Sequence, residues 1–176
     1  MGFYILKVTC TGCALQTMVR EGPSGCAYRL PDGERVSIRS VPAWCAGCAT
    51  VINAEHLPPL ADVEHELADF ESQGPGYQSF VELASQFDPS HGLVERHLAD
   101  LRTTLAWRRM RRGPPRCLRC GSPDITYLTR ATPDAHPTGV HPSCGGTLTL
   151  TGFAHASGVS EQWYSVEGER LADEGG

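Results

Sequence analysis

Eight cysteines in 176 residues are the feature that could do chemistry, and seven of them fall into a pattern. Cys10 and Cys13, Cys45 and Cys48, and Cys117 and Cys120 are three C-x2-C pairs, and His141 and Cys144 make an H-x2-C. A two-residue gap lets one tight turn aim two ligand atoms at the same ion, and a tetrahedral site needs two such turns. A single C-x2-C would leave a redox dithiol as an equal reading; four half-sites in order point to metal. Taken in chain order, Cys10, Cys13, Cys45 and Cys48 are expected to form one four-sulfur site. Cys117, Cys120, His141 and Cys144 are expected to form a second, with three sulfurs and one nitrogen. The spacers within these sets are 31 and 20 residues. The expected cofactor is two zinc ions, with iron an open alternative at the four-cysteine site. His136 is a rival to His141, which is preferred because His141-Pro142-Ser143-Cys144 repeats the spacing of a knuckle.

Gly121 after Cys120, and Gly145-Gly146 after Cys144, suit turns whose amides point at sulfur, since glycine tolerates positive φ. The first two knuckles carry Ala14 and Ala49 there, with Gly12 and Gly47 one position before the second cysteine. Cys26 has no partner at ligand spacing and reads as a small buried apolar residue. Trp44 reads as packing over the knuckle beside it. His56, His65, His91 and His97 read as surface or satisfied residues, and His155 as a strand residue without an assigned role.

The elements that must position these knuckles are short. Residues 3–9 read as a strand entering the first pair. Residues 26–41 read as a hairpin around Pro31-Asp32-Gly33, with Val36, Ile38 and Val41 alternating after the turn. From Leu60 the apolar positions change to Leu60, Val63, Leu67 and Phe70, the period of a helix, with acids on the other face. Gly74-Pro75-Gly76 breaks that helix. A short second one is expected around Phe80, Leu83, Ala84 and Phe87, ending near Pro89. A third, over 92–112, shows the stripe Val94, Leu98, Leu101 and Leu105, and Gly113-Pro114-Pro115 stops it. Strand character returns at 125–128, 147–153 and 162–166, with Arg170 beyond a Glu167-Gly168 turn.

Arg116-Cys117-Leu118-Arg119-Cys120-Gly121-Ser122 and His141-Pro142-Ser143-Cys144-Gly145-Gly146 resemble the modules of zinc-ribbon proteins. The layout also resembles uncharacterised bacterial proteins with a ribbon at each end and helices between. In those, the chain ends on a segment like Tyr164-Ser165-Val166-Glu167-Gly168-Glu169-Arg170-Leu171. The resemblance implies zinc and a fold, and carries no activity. The expected fold class is α+β, with two small zinc-ribbon β domains joined by a helical segment of hairpin or coiled-coil type. The expected boundaries are 1–57 for the N-terminal ribbon, 58–113 for the helices and 114–176 for the C-terminal ribbon.

Composition narrows the function. Apolar residues make up 40 % and charged residues 20 %, which suits a folded globular chain. The apolar run Phe3-Tyr4-Ile5-Leu6 is too short for a signal-peptide core or a membrane span, and Leu6 stands where a myristoylation signal wants Ser or Thr. A soluble cytoplasmic protein is expected, where cysteine clusters are more often metal ligands than disulfides. Net charge is −5, but it is polarised along the chain. Nine acids and no cation lie between Ser40 and Glu95; eight arginines and one acid lie between Arg96 and Arg119. Arg108, Arg109, Arg111, Arg112, Arg116 and Arg119, beside Trp107, could grip phosphates. The reading preferred is that they answer the acidic helix and the dipole of their own helix C-terminus.

No G-x-S-x-G, phosphate loop or H-E-x-x-H is present. Four protein ligands per metal leave no open position, so no enzyme is expected. The expected function is a zinc-stabilised adaptor or scaffold binding a protein partner, with a homodimer through the helices possible. The alternatives are a nucleic-acid-binding accessory factor using the arginine run, and a thiol or metal sensor.

Overall fold

The computed structural model describes residues 2–21, 23–87, 92–129, 138–157 and 162–172. In chain order the elements are β1 (Gly2–Cys10), β2 (Gln16–Glu21), β3 (Pro23–Arg29), β4 (Arg35–Cys45), β5 (Thr50–Glu55), α1 (Leu60–Glu71), α2 (Pro75–Ser85) and α3 (Gly92–Met110). They are followed by β6 (Ile125–Tyr127), β7 (Thr138–Val140), β8 (Thr147–Ser157) and β9 (Gln162–Tyr164). The chain is mixed α and β, and it divides into two units. One comprises Met1–Tyr28, Ser37–His56 and Gly113–Gly176; the other comprises Arg29–Val36 and Leu57–Arg112.

The first unit corrects the expectation of a separate ribbon at each end, over 1–57 and 114–176. Strands from both ends of the chain share one antiparallel sheet of order β2-β1-β8-β7. β1 pairs with β2, Thr9 opposite Gln16, and on its other edge with β8, Thr9 opposite Thr149 and Cys10 opposite Leu148. The physical reason is burial on a two-residue period. Leu6 and Val8 on β1, Val19 on β2, and Leu148 and Leu150 on β8 all point to one face, and they pack with Trp44, Val51 and Leu128. A ribbon of about 50 residues cannot bury that much apolar surface alone; interleaving the two ends does.

The second sheet has the order β5-β4-β3-β9, with β6 also pairing β4. β4 and β5 form a hairpin, Cys45 opposite Thr50, and β6 lies along the same end of β4, Cys45 opposite Ile125. β9 runs parallel to β3, Cys26 opposite Gln162. Ala43, Ile52 and Ala54 pack here around Cys45 and Cys117. Three strands across the two sheets, β2, β5 and β7, have no counterpart among the strands expected from the sequence.

The helical unit follows the apolar stripes. α1 starts directly after Pro58-Pro59 and buries Val63 and Phe70; α3 buries Val94, Leu101 and Leu105. α2 begins at Pro75, earlier than the stripe suggested, because proline is well placed in a first turn. The Asp69 carboxylate at the end of α1 accepts the Tyr77 backbone N–H at 2.9 Å, and Gly74 and Gly76 leave room for it. Phe70, Phe80 and His97 meet where the three helices come together: Phe70 is edge-on to Phe80 at 5.5 Å and tilted to His97, while His97 stacks on Phe80 at 4.5 Å and lies 3.4 Å from Glu66. That carboxylate partner is one the sequence reading did not give His97.

The α1 and α3 stripes meet within one chain. Leu101→Asp should therefore lower the stability of this unit by at least about 3 kcal/mol, the cost of a charge placed among apolar neighbours. A melting midpoint that stays at the wild-type value would show that the stripe is not a core.

Candidate metal centres

The strand register decides which knuckles meet. The first knuckle, Cys10 to Cys13, is the turn between β1 and β2. The fourth, His141 to Cys144, is the turn between β7 and β8, which starts from Val140 opposite Thr147. Since β1 and β8 are neighbours, these two turns come out at the same end of the sheet. The Thr11 N–H donates to the Thr147 carbonyl at 3.0 Å, and the Thr147 N–H to the Thr11 hydroxyl at 2.9 Å. The second knuckle, Cys45 to Cys48, is the turn between β4 and β5. The third leads into β6 on the same strand, and Cys117 bridges Ala54 of β5.

The eight ligands expected from the sequence thus form two clusters, but with a different pairing. One cluster is Cys10, Cys13, His141 and Cys144; the other is Cys45, Cys48, Cys117 and Cys120. Within each, all ligand atoms lie within 4.8 Å of one another. The sites are nested along the chain, outer knuckle with outer and inner with inner, where the sequence reading took them in order. Sequence distance favoured the shorter loops, but loop closure grows only slowly with length, and the β1–β8 pairing outweighs it.

Their geometry suits a four-coordinate ion. Sulfurs about 2.3 Å from a tetrahedral zinc stand about 3.8 Å apart, and an imidazole nitrogen about 3.5 Å from each sulfur. Cys45 and Cys120 are 3.6 Å apart, Cys48 and Cys117 3.9 Å, and Cys10 and Cys144 3.5 Å. His141 Nδ1 stands 3.4 Å from Cys13 Sγ and 3.1 Å from Cys144 Sγ. His141 itself is buried, and its ring lies 4.7 Å from that of Trp44. Trp44 therefore packs on a ligand of the other cluster, although Cys45 is its chain neighbour. His136 lies outside the described residues, as does His91.

The turns present amides to sulfur. The Gly12 N–H points at Cys10 Sγ at 3.4 Å, and the Arg119 and Cys120 N–H groups at Cys117 Sγ at 3.4 Å. Gly121 and Gly145 take the positive φ their places call for, and Ala49 accepts it without being glycine. Burial pushes the Cys10 thiol up, but the Gly12 amide, Cys144 and His141 outweigh it and bring it down to about 6. The Ser122 amide is the largest influence on Cys120, which falls to about 7. Burial pushes Cys48 and Cys117 the other way. Cys10 is thus an easily ionised thiol beside Cys144, which is pushed up, and Cys120 is one beside Cys48 and Cys117; a cation bound among them would release protons.

The position of Gly12 has a tertiary cause. A Cβ on Gly146 would stand 2.5 Å from the Gly12 nitrogen and 2.8 Å from Cys10 Sγ. The first and fourth knuckles touch glycine to glycine, and that contact brings their sulfurs together. Gly146→Ala should weaken metal retention at this cluster and cost about 1–3 kcal/mol, as overpacking does. Gly152→Ala, where a Cβ would meet nothing within 4 Å, is the control. Equal chelator resistance in the two variants would contradict the contact.

Glu55, at the end of β5, was not legible as a structural residue. It is fully buried. Its Oε1 accepts the Tyr28 hydroxyl at 2.8 Å and its Oε2 the Arg116 backbone N–H at 2.9 Å, while its carbonyl accepts the Tyr127 hydroxyl at 2.7 Å. One carboxylate thereby ties β3 and β5 to the residue that enters the third knuckle. Burial first, and Glu55 second, push the Tyr127 phenol up. An acid following Val51-Ile52-Asn53-Ala54 is the only sequence signal it left.

The arginine run is partly engaged. Arg109 pairs with Glu64 at 2.9 Å, and Arg108 Nε donates to the Pro58 carbonyl at 2.8 Å. Arg102, ahead of the run, pairs with Glu71 at 2.9 Å. Trp107 and Arg111 are buried, so neither is an exposed platform for a base or a phosphate. Cys26 is buried as expected, its Sγ 3.9 Å from Gln162 Oε1. Among the described residues, no helix is long and apolar enough to cross a membrane. No family model matches the chain, and no curated protein or solved structure matches it.

Proposed function

We propose that the chain is a zinc-stabilised, non-catalytic adaptor that binds a protein partner in the cytoplasm. The observation that carries this reading is the completeness of both clusters: four protein donors surround each centre. A closed tetrahedral shell leaves no position for water or substrate, so the ions act on the fold. Zinc is preferred to iron because one set of three cysteines with a histidine and one set of four cysteines are both usual structural zinc shells. The knuckles are ribbon-like in their turns, though they serve one interleaved unit. The cytoplasm is preferred because none of the eight cysteines is in a disulfide, as suits a reducing compartment.

Leu83 on α2 and Phe87, two residues beyond its end, support a protein partner. They are 57 % and 76 % exposed. An exposed aromatic beside an exposed leucine is the kind of anchor that interfaces use. Leu83→Glu with Phe87→Glu should abolish co-purification of a partner from the native cell while metal content and melting stay unchanged. Retained co-purification would remove this surface from the reading. The same variant in sedimentation tests for a homodimer, which would be lost if the partner is a second copy.

The nucleic-acid alternative rests on Arg108 to Arg119. It is less favoured because Arg108 and Arg109 already have partners in the helical unit. Replacing Arg108, Arg109, Arg111 and Arg112 by Gln separates the two. Tight, salt-sensitive binding of DNA or RNA by the wild type, lost in the variant, would favour the alternative. A thiol or metal sensor is less favoured again, since neither cluster has an open position.

A further inference from the structure

Three arginines from distant parts of the chain line one open cavity of about 310 Å³ in the β unit: Arg20 of β2, Arg119 inside the third knuckle, and Arg170 beyond β9. The chain as a whole carries a net charge of −5, yet among the described residues no Asp or Glu lines this cavity. Glu169 lines the adjoining cavity, which shares Arg119 and Arg170. The remaining wall is divided. Val51 and Leu118 give it a buried apolar floor, and Met18, 62 % exposed, gives it an apolar rim. Asn53 and Gln162 contribute amides.

Each arginine is carried on backbone that the fold holds in place. The Asn53 side chain grips Arg20 from both sides of its peptide, accepting its N–H at 3.0 Å and donating to its carbonyl at 2.7 Å. Arg119 lies between two metal ligands, and its N–H points at Cys117 Sγ. Arg170 bridges Tyr164, whose hydroxyl donates to the Leu118 carbonyl at 2.7 Å. A built wall of cations with an apolar floor is a binding site in form.

We propose that this cavity binds a small organic phosphate monoester. The phosphate lies among the arginines, and the carbon skeleton lies against Val51, Leu118 and Met18. Guanidinium groups match phosphate oxygens with paired donors, and three of them suit a dianion better than a single carboxylate. The volume is at the lower end for ligand pockets, which fits a small molecule and excludes a folded partner. The second metal centre gains a role here, because it holds the loop that carries Arg119.

The test is calorimetric titration of the full metal-loaded chain with 1-naphthyl phosphate, with 1-naphthol and inorganic phosphate as its two halves. A single-stranded oligonucleotide without terminal phosphate is the fourth titrant. Saturable binding of 1-naphthyl phosphate, tighter than either half, is expected. Arg20→Gln and Arg170→Gln should each weaken it at least about tenfold, with metal content and melting unchanged. Leu83→Glu with Phe87→Glu should leave it intact, which separates this site from the adaptor surface. The proposal is overturned if no saturable binding appears at millimolar probe, or if both arginine variants bind like wild type. It is overturned equally if the oligonucleotide binds tightly and 1-naphthyl phosphate does not displace it.

Discussion

Replacing Cys10 and Cys144 together by serine should remove one metal ion per chain and leave the other in place. The two residues belong to the same cluster, their sulfurs 3.5 Å apart. Cys45→Ser with Cys117→Ser should do the same at the second cluster. If the knuckles were paired in chain order, each of these double variants would strike both sites, and both ions would be lost. The mixed variant Cys10→Ser with Cys45→Ser gives the opposite contrast. It strikes both nested clusters, whereas in chain order it would strike only one. Elemental analysis of the three purified variants, with intact mass to verify the chain, reads the pairing directly. One ion, one ion and none is the expected series. None, none and one would show that the ligands pair in chain order.

Stripping both ions with a strong chelator should unfold the β unit. A structural zinc site contributes on the order of 10–16 kcal/mol of binding energy, and a domain of this size is stable by about 5–15 kcal/mol in all. Each cluster closes one end of one sheet. Cys45 and Cys117 are part of the small core that also holds Ala43, Ile52 and Ala54, and Cys10 packs against the larger one. Without a cation, each cluster leaves thiols crowded at van der Waals distance with their protons to place. The amide resonances of β1, β4 and β8 should collapse to unfolded positions on chelation and return when zinc is restored. The buried stripes of α1 and α3 contain no metal ligand, so their helical circular dichroism should fall much less. Retention of the β-strand resonances in demetallated protein would show that the apolar core suffices by itself.

The eight ligands could be named from the sequence because a knuckle is a local object. Two donors two residues apart are aimed by one turn, and no distant residue is needed to see it. The helices were legible for a similar reason. Val63 and Phe70, or Leu101 and Leu105, mark a buried face by their spacing alone, and Gly74-Pro75 marks the break between α1 and α2. The orientation of the acidic helix was half legible too: charge of opposite sign on neighbouring helices led to Arg109 with Glu64, whereas Arg102, which pairs with Glu71, lies ahead of the run that the sequence singled out.

Which knuckle meets which was not a local property. It follows from β1 lying between β2 and β8, a pairing across most of the chain that was set by burying Leu6 and Val8 with Leu148 and Leu150. That register brings the outer turns together, and the β4–β5 and β4–β6 pairings bring the inner ones together. Gly12 looked misplaced until Gly146 was seen against it. Only the fold puts Tyr28 and the Arg116 amide around Glu55. The same holds for Arg20, Arg119 and Arg170, which share a cavity wall only because β2, β3, β5, β9 and the third knuckle converge there. Short-range spacing determined the donors and the helices of this protein. Burial across long loops, whose closure costs little more for a long loop than for a short one, decided the partners.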